Sequence, residues 1–88
     1  MLTLPAVLTY TQALETERAL QAQLASQPSI VMDASALTQF DSSTLAVLLS
    51  CRRQALVAGK TFAVQGMPGK LAQLAGLYGV SKLLGVAA

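Results

Sequence analysis

Three times along this chain a short aliphatic run gives way to a longer stretch in which apolar residues recur at helical spacing. Leu2 to Thr9 reads as a short strand, with Pro5 marking an edge or a bulge. Thr11 to Ala25 is predicted to be a helix. Ala13, Leu20 and Leu24 share one stripe, Glu15 and Glu17 lie early, and Ser26-Gln27-Pro28 ends it. SIVMDAS predicts a buried strand, and ALTQF the loop leaving its C-terminal end. A second helix is expected from Ser42 to Ala58, closed by Gly59, followed by a third strand in KTFAVQG. PGKLAQLAGLYGVSKLLG predicts a helix with Pro68 near its start, a break at Gly79 and a short terminal helix. The order is β-α-β-α-β-α. Strands joined through helices run parallel with right-handed crossovers, so the expected fold is α/β: one small sandwich over residues 1–88, with helices packed on a mostly parallel sheet.

The second helix separates into faces when its residues are placed about 100° apart. Leu45, Leu48, Leu49, Ala55 and Leu56 fall within one arc, the expected buried face, with Arg52 snorkelling at its border. Opposite lie Ser43, Ala46, Val47, Ser50, Gln54 and Val57. This second face is expected to be exposed, yet it carries no charge. Ser43, Val47, Ser50 and Gln54 follow one another at spacings of three or four residues, which predicts a continuous strip for a partner to cover.

Composition sharpens that expectation. The chain has 88 residues, 53% apolar and only 11% charged, which excludes disorder and leaves little polar side chain to cover the surface. Net charge is +2, and only Arg52 and Arg53 are adjacent, with no aromatic residues interleaved, so nucleic acid is not an expected partner. Without histidine and with Cys51 as the one cysteine, the chain has no zinc ligand set, no internal disulfide and no histidine-based catalysis. Cys51 reads as a small core residue. No cofactor is implied. The N-terminus lacks a signal-peptide pattern and no apolar run approaches 18 residues, so a cytoplasmic protein with no membrane span is expected.

The most distinctive polar cluster opens the second helix: Asp41, Ser42, Ser43 and Thr44, directly before the apolar run. Asp41 or Ser42 can cap the free amides there, worth roughly 1 kcal/mol, and a carboxylate gains from the helix dipole. Capping accounts for one or two of the four residues. A catalytic serine needs a base, and neither histidine nor a nearby lysine supplies one. GMPGK at 66–70 lacks the spacing of a phosphate loop. A hydroxyl at an exposed helix start can still accept a phosphate, adding nearly two negative charges to an uncharged face.

IVMDASALTQFDSSTLAVLLSCRRQALVAGKTFAVQG resembles the STAS domain, shared by sulphate transporter tails and anti-sigma factor antagonists. The likeness lies in an aliphatic strand with DASAL, DSS opening an aliphatic helix, then Gly and another strand. LAGLYGVSKLLG is similar to the C-terminal segment of the MlaB-type STAS subunit of Mla (toluene-tolerance) phospholipid transporters. Two departures stand out. The family usually opens with a further strand ahead of the one placed at Leu2, and the antagonists carry Gly where this chain has Thr44. The resemblance implies a phosphorylatable or partner-contacting hydroxyl at Ser42 or Ser43, beside Asp41. It further implies a non-catalytic subunit, held at the inner membrane through its partner, that binds and supports an MlaF-type ABC ATPase. That ATPase works in a complex with permease and lipid-binding subunits maintaining outer-membrane lipid asymmetry. The alternative is an anti-sigma factor antagonist-like switch phosphorylated on Ser43 by a partner kinase.

Overall fold

Pro5 divides the first expected strand in two. The computed structural model describes residues 2–84, and Leu2–Thr3 (β1) and Val7–Leu8 (β2) flank the proline as separate dipeptide strands. Proline has no amide to donate to a continuous ladder. The two halves join different sheets. β1 pairs in parallel with Ile30–Asp33 (β3), which pairs in parallel with Phe62–Gln65 (β5) on its other side. β2 pairs in parallel with Gln39–Phe40 (β4), placing Val7 opposite Gln39 and Leu8 opposite Phe40. The segment ALTQF, expected as loop, therefore contains a strand. Its pairing partner is about thirty residues away, beyond the reach of any local pattern. The amides of Thr38 and Gln39 both donate to the Ala6 carbonyl, at 2.8 and 3.1 Å, and fix that junction.

Three helices complete the order: Tyr10–Leu24 (α1) after β2, Ser42–Val57 (α2) after β4, and Gly69–Leu77 (α3) after β5. α1 starts one residue earlier than expected because Thr9 caps it. The Thr9 amide and hydroxyl both donate to Gln12 Oε1, at 3.0 and 2.7 Å. At the other end the Lys60 ammonium donates to the Leu24 carbonyl (2.6 Å), a cation on the negative pole of the helix. Gly59, at φ +75°, closes α2 as predicted. Gly66 is held harder: its φ is +68°, and an added Cβ would lie 2.9 Å from Ser35 Cβ. The hydroxyl and amide of Ser35 in the same turn hold the Asp33 carboxyl below its ordinary range. After the break at Gly79, Leu84 N bonds Val80 O in a single turn. The remainder of the expected terminal helix lies outside the described residues.

The core is aliphatic. Leu2, Leu4 and Leu8 meet Ile30 and Met32 of β3, Leu48 of α2 and Leu71 of α3, all fully buried. Burial along β3 alternates between buried and half-buried, as one sheet face turned to the core requires. α2 buries Thr44, Leu45, Val47, Leu48, Cys51 and Ala55. Its buried arc is thus rotated from the expected one toward α1. Leu49 is half-buried and Leu56 is 49% exposed, whereas Val47, expected on the open face, is only 3% exposed. α2 has two neighbours, the sheet on one side and α1 on the other. Its buried stripe is therefore centred between them. Arg52 is half-buried, as a snorkelling stem would be.

Candidate docking site at the start of helix α2

Asp41 is the cap of α2, and it caps a second helix as well. Its Oδ1 accepts from the Ser43 amide at 2.8 Å, while its Oδ2 accepts from the Tyr10 amide, the first of α1, at 3.1 Å. A single carboxylate thus lies at the positive ends of two helix dipoles, and the starts of α1 and α2 are held together by it. Thr44 completes the cap from inside. The Asp41 amide donates to its Oγ1 (3.3 Å), and that hydroxyl donates to the Leu8 carbonyl at 2.6 Å. Thr44 is fully buried, the one polar residue among the buried side chains described. Sequence reasoning grouped it with the contact hydroxyls; the fold makes it the pin between α2 and β2. At this position a glycine would leave the Leu8 carbonyl without that donor.

The four-residue strip is not one exposed surface. Val47 packs into the interior. Ser50 is half-buried and its hydroxyl donates to the Glu17 carboxylate of α1, while Gln54 Nε2 donates to Ser50 Oγ at 3.2 Å. α1 covers much of what was expected to await a partner: Ser50 joins the two helices through Glu17, and Gln54 bonds Ser50 from the same helix. Cys51, beneath them, is fully buried, with burial and then the Glu17 charge pushing its thiol up to about 11. It is an inert core residue.

What remains open is a narrower ridge. Ser42 and Ala46 are exposed and Ser43 is half-buried. Neither serine hydroxyl makes a hydrogen bond among the described residues. On one side of the ridge a groove of about 550 Å³ runs between α1 and α2, with Tyr10, Leu14, Glu17, Ser43 and Ala46 around it and Val47 in its lining. On the other side a groove of about 370 Å³ is formed by Ser42, Leu45, Ala46, Leu49, Tyr78 and Val80. Tyr10 is 82% exposed and Tyr78 59%, and Leu14 and Leu77 are open to solvent beside them. The chain's two tyrosines therefore flank the ridge from opposite sides. Tyr10, Leu14, Tyr78 and Val80 line these grooves and were not among the residues expected at the site. A signal was present in Tyr10, Leu14 and Tyr78, large apolar or aromatic residues off the stripe that the core uses.

No group of three metal-ligating side chains occurs among the described residues, and none of their helices is long and apolar enough to cross a membrane. Taken together, the class is a small parallel α/β domain whose second helix opens with a capped, hydroxyl-bearing turn between two apolar grooves. The family model described as Mlab, STAS domain matches residues 1–85, so the chain belongs to that STAS family. No curated protein matches it.

Proposed function

We propose that this chain is the non-catalytic STAS subunit of an Mla-type phospholipid ABC transporter, docking on the MlaF-type ATPase through the ridge at Ser42, Ser43 and Ala46. On this reading it is cytoplasmic, reaches the inner membrane only through that partner, and supports a complex that maintains outer-membrane lipid asymmetry. The carrying observation is an exposed, uncharged ridge between two tyrosine-edged apolar grooves. Covering the ridge itself, which carries no ionic group, removes apolar area from water at little cost in ion desolvation. Asp41 and Thr44 contribute by fixing the ridge rather than by touching the partner, and Ser50 and Gln54 stand at its far end.

The switch reading rests on the unbonded serine hydroxyls. A phosphate on Ser43 would stand beside the Asp41 carboxylate, in a groove lined by Glu17 and by no basic residue. No basic residue among the described residues lining that groove balances nearly two added charges, which favours the docking reading. The deciding experiment titrates the purified chain against an Mla-type ATPase subunit from the same genome, and separately against an anti-sigma factor. Saturable binding to the ATPase, lost in Ala46→Asp, supports the proposal. Binding to the anti-sigma factor alone replaces it with the switch.

A further inference from the structure

The groove between α1 and α2 holds a carboxylate without a cation. Tyr10, Ala13, Leu14 and Glu17 line one wall at positions i, i+3, i+4 and i+7 of α1, and Ser43, Ala46 and Val47 line the other at i, i+3 and i+4 of α2. The two rows make a trough roughly two helical turns long, about 10 Å. Glu17 lies at one end of it, half-buried, taking a hydrogen bond from Ser50 and forming no ion pair among the described residues. No lysine or arginine lines the groove, although the chain as a whole carries +2.

These facts constrain what can lie there. An occupant that covers Leu14 and Tyr10 also takes Glu17 further out of water. One hydroxyl does not satisfy a buried carboxylate, so a purely apolar occupant would leave an uncompensated charge. A trough between two parallel helices is shaped for a third helix with anchors at helical spacing. We propose that this groove receives an amphipathic helix of the partner, with small apolar anchors against Tyr10, Leu14 and Ala46 and one lysine or arginine paired with Glu17. The inference rests on the docking reading above and adds the occupant of one groove and its charge.

Calorimetric titration of the full chain with the Mla-type ATPase, at low and at raised salt, tests it. Glu17→Gln keeps a hydrogen-bond acceptor for Ser50 while removing the charge, and Leu14→Ser removes an exposed anchor. Both should melt close to the parent, bind roughly tenfold more weakly at low salt, and, for Glu17→Gln, show a flatter salt dependence. Tyr78→Ser probes the opposite groove. If it alone weakens binding while Glu17→Gln and Leu14→Ser bind as the parent does, the groove proposal falls and the docking reading stands. If the parent chain does not bind the ATPase at all, both fall. Sedimentation of the chain alone closes the remaining route: a dimer abolished by Glu17→Gln would make a second copy the occupant and overturn the proposal.

Discussion

Two rows of the same helix lack charge for opposite reasons. Thr44, Val47, Leu48, Cys51 and Ala55 are uncharged because α1 and the sheet enclose them; Ser42, Ser43 and Ala46 are uncharged yet largely open. The first row is held by packing and by the Thr44 bond to Leu8, the second only by the cap at its root. An uncharged helix face thus carries two messages that a sequence does not separate: core against a neighbouring helix, and surface for a partner. Only the enclosed row should matter for stability, and only the open ridge for binding.

Val47 separates the two rows most sharply. Val47→Asp places an unpaired carboxylate between α1 and α2, at a cost of roughly 3–5 kcal/mol. Against a total of about 5–15 kcal/mol for a native protein, the far-UV circular dichroism and melting transition should show a largely unfolded chain. A folded variant would return Val47 to the open surface. Leu48→Ala, at a fully buried site, should lower the unfolding free energy by roughly 2–5 kcal/mol in urea titration. Thr44→Val leaves the Leu8 carbonyl without its donor and should cost roughly 1–3 kcal/mol, although the side chain keeps its size. Asp41→Ala releases the first amides of both α1 and α2. The expected loss is about 1–2 kcal/mol, with faster amide exchange at Tyr10 and Ser43 together. Exchange that rises at Ser43 alone would dissociate the two helix starts. Smallest in stability is Ala46→Asp, within about 1 kcal/mol of the parent by thermal melting; its effect should fall on ATPase affinity, in contrast to Val47, the next residue along the helix.

The alternation of strands with three helices, the helix bounded by Asp41 and Gly59, and the family were legible because each depends on signals local to the chain; the split of the first strand at Pro5 and the strand β4 were not. Apolar spacing, a capping carboxylate and a glycine free to take φ +75° all act within a few residues. The DSST turn was equally visible, but its division of labour was not. Asp41 serves two helices because Tyr10, 31 residues earlier, is brought to its second oxygen. Thr44 turns inward because the Leu8 carbonyl waits there, and Val47 is buried because α1 lies over it. Helical geometry assigns each residue an angle around the axis; it does not say how many neighbours press on the helix or from which sides. Periodicity therefore determined that α2 is a helix with two uncharged rows, and the packing of α1 decided which of them stays open. The same reason explains β4, a strand only because β2 lies beside it, and the tyrosine-edged grooves, whose walls come from segments far apart in the chain and meet only in the folded domain.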